Sequence, residues 1–254
     1  MYGKLPSPIA VLTFNQNLQT GELTFISYSN VDTRNAHGLW ITCGASLSPW
    51  GTHLSSEEYE PNGLITNNGN NSDPQFAAYS KYLYGSETAA NAYNYGHLPE
   101  IIVNKDGTGR CIKHYCMGRL SHELIQVMPD KRTCLMGNDA TNAGIFMFVA
   151  HRPADLSSGA LYVAKVTQKS AAGDKLGDFG VNWIKLGSAT SAEIEAMVKN
   201  NIKLSDFMDV KTSDPSDPTY SKIMYNGTAN WIKMLSNSAF AHKAAAFLET
   251  QRYA

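Results

Sequence analysis

Charge is scarce in this sequence. Asp, Glu, Lys and Arg make up 17% of its 254 residues, and the formal net charge is −1. A near-neutral chain has no general electrostatic pull toward nucleic acid or a membrane surface, so no nucleic-acid partner is expected. Long apolar runs are missing too, and no stretch suits a membrane span. The opening residues, Met1-Tyr2-Gly3-Lys4-Leu5-Pro6, hold no apolar h-region, so no signal peptide is expected within this chain. Cysteine is limited to Cys43, Cys111, Cys116 and Cys134, with no CxxC pair, which argues against a zinc ribbon. Cys111 and Cys116 stand an odd number of positions apart in a β-like stretch. A regular strand points them to opposite faces, so a disulfide between them is not expected. Cys134, in the run Thr133-Cys134-Leu135-Met136, reads as a small core residue.

What is plentiful is Gly, Asn, Ser, Thr and Tyr, on a background of 43% hydrophobic residues. That composition suits a loop-rich, all-β dominated protein and not a helical bundle. Strands are expected over 23–29, 38–43 and 52–56. A hairpin is expected over 101–115, with Asp106-Gly107 at its turn. Another runs through 124–128 and 132–137 around Pro129-Asp130. Strands over 144–150 and 160–166 follow, joined by a polar turn at 155–159, and 181–187 completes the series. Short strands at this spacing point to a sandwich, barrel or propeller, and the hairpins from Glu123 to Lys165 fit one four-stranded propeller blade.

Helices interrupt the pattern. Thr190-Ser191-Ala192-Glu193 is a capping box that opens a helix over 192–199. The Ala-rich segment 240–252, anchored by Phe247 and Leu248, predicts another. Residues 59–95 have weak periodicity and read as one long insertion in a single 1–254 domain, partly helical over 76–84. Insertions of that length are commonly functional or mobile. Asp214-Pro215-Ser216-Asp217-Pro218 marks a surface loop.

The chemistry-bearing stretch is 43–59, which sets Cys43, His53, Glu57 and Glu58 around a Pro49-Trp50-Gly51 turn. A soft thiolate suits iron, zinc or copper, and hard carboxylates suit calcium or magnesium, so this set points to a mixed metal site. Adjacent carboxylates on a strand face opposite ways, so only one of Glu57 and Glu58 faces a given site. Ser121-His122-Glu123 places a second carboxylate at the start of an apolar strand, where it is costly unless paired or metal-bound. Asp139 ends a third cluster, Gly137-Asn138-Asp139, and turn stabilisation is its competing role. Trp50 reads as turn packing, His53 and His122 as packing or ligand support, Arg119 as a structural ion-pair partner, and Lys165 as a surface lysine.

Taken together, Cys43, Ser48-Pro49-Trp50-Gly51-Thr52 and Ser56-Glu57-Glu58 resemble the signature of PhoX-type alkaline phosphatases. Gly118-Arg119-Leu120-Ser121-His122-Glu123 resembles that family's Gly-Arg-aromatic-x-His-Glu motif, and Gly137-Asn138-Asp139 its Gly-Asp-Asp motif. Segments 156–165 and 247–254 agree in order. The resemblance implies a β-propeller phosphomonoesterase, usually periplasmic or secreted, with two ferric ions and calcium. On it, Cys43 would be an iron ligand, Glu57 or Glu58 together with Glu123 would bind iron or calcium, and Asp139 with Asn138 would bind calcium. Cys43 and Glu123 would be the catalytic positions.

Two departures qualify the expectation. Asn138 stands where the family has an Asp. The family also continues beyond the segment that ends at Tyr253-Ala254, into blades that supply a further acidic ligand and an arginine for phosphate. The expectation is therefore an incomplete propeller, about half to two-thirds of six blades, with helical insertions, acting on phosphate monoesters in a truncated form. An oligomer or a complementing C-terminal chain would be its partner. The alternative is a non-catalytic calcium-binding propeller fragment that needs a partner chain. A weaker third reading is a lactonase-like propeller hydrolase with one calcium and no thiolate.

Overall fold

The computed structural model describes residues 4–66, 71–141, 143–174 and 176–254. Among the described residues, four open antiparallel sheets carry the fold. A ribbon pairs β1 (Ala10–Gln16) with β2 (Leu23–Asn30). A four-stranded sheet runs in the order β3 (Ser46–Leu47), β4 (His53–Leu54), β5 (Leu98–Val103) and β6 (Gly109–His114). A five-stranded meander follows, from β7 (His122–Val127) through β8 (Thr133–Asn138), β9 (Ile145–Arg152) and β10 (Asp155–Gln168) to β11 (Phe179–Thr190). The last sheet orders β12 (Met208–Lys211), β14 (Thr228–Met234) and β13 (Ser221–Tyr225). The helices are α1 (Gly63–Thr66), α2 (Pro74–Tyr84), α3 (Ser191–Lys199), α4 (Ala239–Leu248) and α5 (Thr250–Tyr253).

Alternation explains the meander. In β8 and β9, Cys134, Met136, Phe146, Phe148 and Ala150 point inward and are buried, while their neighbours are more accessible. Leu161 of β10, Ile194 and Val198 of α3, and Phe247 and Leu248 of α4 join the same apolar cluster. Three consecutive alanines, Ala244, Ala245 and Ala246, lie fully buried along α4 and let it sit close on β11. The capping box opens α3 as expected, with Thr190 and Glu193 satisfying each other's backbone N–H groups. The C-terminal helix breaks at Glu249, which leaves the helical region (φ −127°, ψ 44°) and separates α4 from α5.

Other expectations need correction. Segment 38–43 is no strand, because His37, Gly38 and Ile41 all take positive φ. That twisted segment sends Trp40 into an aromatic cluster with Phe76, Tyr79 and Tyr95. Residues 155–159 are not a turn: β10 already begins at Asp155, paired with Arg152, and the reversal falls at Ala154 (φ 58°). The strand expected over 52–56 shrinks to β4. The expected helix over 76–84 forms as α2, capped by Asp73 at its start and by left-handed Gly85 at its end. Within 59–95, residues 67–70 lie outside the described residues. Among the rest, Phe76, Tyr79, Ala92, Tyr93 and Tyr95 are buried, so much of this segment is core. Cys43, Cys111, Cys116 and Cys134 are all free thiols.

Glu100 of β5 fixes the Pro-Trp-Gly loop against the second sheet. It accepts hydrogen bonds from Trp50 Nε1 at 2.8 Å, Thr52 Oγ1 at 2.6 Å and His114 Nε2 at 2.7 Å. Burial pushes its pKa up, but the bonds from His114, Thr52 and Trp50 outweigh burial and hold it at about 2. A carboxylate depressed below its unfolded value adds stability that is complete above the unfolded pKa and is lost as pH falls toward the folded one. Glu100→Gln is therefore expected to lower stability at neutral pH and to flatten its decline between roughly pH 4.5 and 2. Urea unfolding across that range checks this.

Candidate metal centre

The centre forms where residues 56–59 run between two other segments. Glu58 N–H bonds Ile41 O at 3.0 Å on one side, and His122 N–H bonds Glu57 O at 3.0 Å on the other. Glu57 points inward. Its Oε1 accepts from Trp40 N and Lys113 Nζ, both at 2.8 Å, and its Oε2 accepts from Gly96 N at 3.0 Å and His97 N at 3.1 Å. Gly96 is required there, because it has φ 86° and a Cβ would fall 2.4 Å from Glu60 Cβ. Burial pushes the Glu57 carboxyl up and the Lys113 ammonium down, and their mutual attraction opposes both shifts. With both oxygens engaged, Glu57 is a structural anchor and lies apart from the metal-ligand cluster.

Glu58 points the other way and meets Cys43 and Glu123. One ligand atom from each of these three residues lies within 4.8 Å of the others, and Cys43 Sγ is 3.6 Å from Glu123 Oε1. Two local devices make this possible. β7 carries a bulge between His122 and Ile125, opposite β8, which turns Glu123 outward while His122 stays buried. Gly44 lets the Cys43 loop approach, since a Cβ there would sit 2.4 Å from Glu123 O. Ser56 clamps the same loop, accepting from Cys43 N at 3.1 Å and donating to Gly44 O at 2.9 Å.

Asp139, at the exit of β8, completes the acidic edge. Its N–H bonds Ser121 O at 2.9 Å, and its carboxylate contacts Glu58 and accepts from Tyr59 Oη at 2.8 Å. Asn138 plays a supporting part: its Oδ1 accepts from Ser121 N at 2.8 Å, which ties the β8 exit to the β7 entry. His122 is buried and its Nε2 meets Gly118 O at 3.1 Å, while His53 lies in β4 opposite Ile101. Arg119 is buried as expected of a structural residue. Its partners, however, are the backbone carbonyls of Tyr95, Pro61 and Leu248, not a carboxylate. Lys165 is exposed on β10.

The electrostatics suit a cation. Burial raises the Cys43 pKa, and Glu58 and Glu123 add to the rise. Glu58 is likewise raised by burial, then by Asp139, with Glu123 contributing. Among the described residues, no Lys, Arg or His forms an ion pair with Glu58, Glu123 or Asp139. One thiol and clustered carboxylates with no counter-charge are a donor set that fits a metal ion. Sequence reasoning missed Tyr59, Gly44, Ser56 and Ser121. Their roles depend on approach between segments distant in the chain, and the one local signal was Tyr59 following Glu58 directly.

A β-sheet protein with a thiol–carboxylate cluster is the class that fold and site define. The family described as alkaline phosphatase PhoX matches residues 18–243, and the chain belongs to that family. A solved structure, Pseudomonas fluorescens PhoX in complex with vanadate, a transition state analogue, is similar at 20% identity with a TM-score of 0.43. The similarity covers 70% of this chain and 40% of that one, so the chain spans about 40% of the length of that solved relative. Comparison with curated proteins gave no match.

The two adjacent glutamates should separate under substitution. Glu57→Gln is expected to cost about 3–5 kcal/mol of stability, because it leaves Lys113 buried without its partner, and to reduce cation uptake only in step with the loss of folded chain. Glu58→Gln should remove cation uptake without lowering the stability of the metal-free chain, because it relieves repulsion. Urea unfolding and metal analysis after dialysis distinguish the two.

Proposed function

We propose that this protein is a metal-dependent phosphatase that hydrolyses phosphoric monoesters. The observation that carries the reading is the convergence of Cys43, Glu58 and Glu123 within 4.8 Å, in a chain of the PhoX family. Ferric iron and calcium are the cations of this reading. Cys43, Glu58 and Glu123 would hold iron, and Asp139 with Glu58 would hold calcium. Bound there, the cations would offset phosphate charge and activate an oxygen nucleophile. The chain's own residues supply the donors, the bulge that aims Glu123 and the glycine that admits the Cys43 loop. A cavity of about 460 Å³ lined by Asn138, Thr141, Phe146, Met224 and Arg252 has none of these donors in its lining, and would take the organic part of an ester only if the substrate reached past Asp139.

The architecture belongs to the same reading. The β7–β10 meander would be one blade of a partial six-bladed propeller across 1–254, with 59–95 inserted in it. A periplasmic or secreted setting goes with the family. The apolar residues Leu12, Phe14, Phe25 and Tyr28 are exposed on the β1–β2 ribbon, which supports an oligomer or a complementing chain as partner.

One observation favours a second reading, a non-catalytic calcium-binding propeller fragment that needs another chain. The guanidinium of Arg119 is consumed by backbone carbonyls and is not free for phosphate. Metal analysis by mass spectrometry and a p-nitrophenyl phosphate assay on the same purified sample test both readings. Iron, calcium and hydrolysis together are expected, with iron and hydrolysis lost in Glu123→Ala. Cation without hydrolysis would favour the second reading, and a Glu123→Ala chain with unchanged metal and activity would overturn the first. Visible absorption from a ferric thiolate separates the first reading from a lactonase-like site with calcium alone.

A further inference from the structure

Tyr59 stands out beside the cluster. It is a bulky aromatic residue in the left-handed region (φ 48°), a conformation such side chains avoid unless the surroundings impose it. Here they impose it from both sides. Tyr59 N–H donates to Ser121 Oγ at 2.8 Å, and Tyr59 O accepts from Trp40 Nε1 at 2.8 Å. In an extended segment Glu58 and Tyr59 would face opposite ways. The left-handed residue turns the chain so that both side chains reach the same carboxylate, Asp139.

That carboxylate needs holding. Asp139 is exposed, its carboxylate contacts that of Glu58, and no cationic side chain pairs with it among the described residues. With both carboxyls ionised, repulsion would swing a free aspartate away from Glu58. The Tyr59 hydroxyl donates to Asp139 Oδ2 at 2.8 Å and opposes that swing. A hydrogen bond from a half-exposed tyrosine to a surface carboxylate adds little to folding, yet the backbone is kept in an unfavourable conformation to make it.

We propose that the Tyr59 hydroxyl is a positioning group for a fourth donor, holding the Asp139 carboxylate beside Glu58 so that it joins Cys43, Glu58 and Glu123 in binding cations. The inference rests on the metal reading of the centre and adds to it a residue outside the donor set. Tyr59 acts through Asp139 and does not itself ligate.

The test is a double-mutant cycle on the full chain, stripped with chelator and titrated with Ca²⁺ and, separately, with Co²⁺. Thiolate-to-cobalt absorption reports Cys43. Tyr59→Phe is expected to weaken Ca²⁺ binding roughly five- to tenfold, the size of an ordinary net hydrogen bond. Its cobalt–thiolate band at saturation and its melting temperature should stay as in the unsubstituted chain. Asp139→Asn should weaken Ca²⁺ binding at least as much, and Tyr59→Phe in that background should add nothing. Unchanged Ca²⁺ affinity in Tyr59→Phe, or a full additional loss in the Asp139→Asn background, would overturn the inference while the metal reading stands. Failure of the unsubstituted chain to take up either ion would overturn the metal reading and this inference with it.

Discussion

The site depends on one buried carboxylate that is not in it. Glu57 is fully enclosed, and its two oxygens take three backbone N–H groups and the Lys113 ammonium. Those bonds join three stretches of chain, around Trp40, Gly96 and Lys113, at one point. An ion pair so buried contributes little net stability against an apolar alternative, but removing one partner is costly. Its value is positional. With Glu57 turned inward and satisfied, Glu58 must point the opposite way, toward Cys43 and Glu123, and the direction of the next side chain follows.

From that anchor the geometry spreads in both directions. Trp40 N–H binds Glu57, while the Trp40 ring joins Phe76, Tyr79 and Tyr95 and its Nε1 holds the Tyr59 carbonyl. The aromatic cluster thus fixes the backbone on either side of Glu58. Opposite, Ser121 accepts from Tyr59, receives support from Asn138 and binds Asp139 N–H. The acidic cluster therefore stands on apolar packing below and a polar lattice beside it. The carboxylates are held together by bonds made elsewhere, an arrangement that would suit the cation site proposed here.

The β character, the α3 capping box, the Asp106-Gly107 hairpin and α2 were legible because each rests on local chemistry. Cys43, Glu123 and the Glu57/Glu58 pair were legible as residue types. Which glutamate faced the cluster was not, since alternation alone says only that the two diverge, and the choice is made by Lys113 and the N–H groups of Gly96 and His97, far along the chain. Segment 38–43 read as a strand because Leu39-Trp40-Ile41 is apolar. Positive φ at His37, Gly38 and Ile41 made it a twisted buried loop, a tertiary outcome that overrides propensity. The bulge at Glu123 was hidden for the same reason: it exists only in the pairing of β7 with β8. Tyr59 looked like an ordinary insertion residue until its hydroxyl was placed on Asp139.

On the metal reading proposed for the centre, the Cys43 thiolate and the neighbouring carboxylates would share one metal ion. X-ray absorption at the iron edge on the iron-loaded protein addresses it most directly. The account predicts one sulfur neighbour among oxygen neighbours, lost in Cys43→Ser with the oxygen shell retained. A first shell of oxygen and nitrogen alone, unchanged by Cys43→Ser, would contradict it.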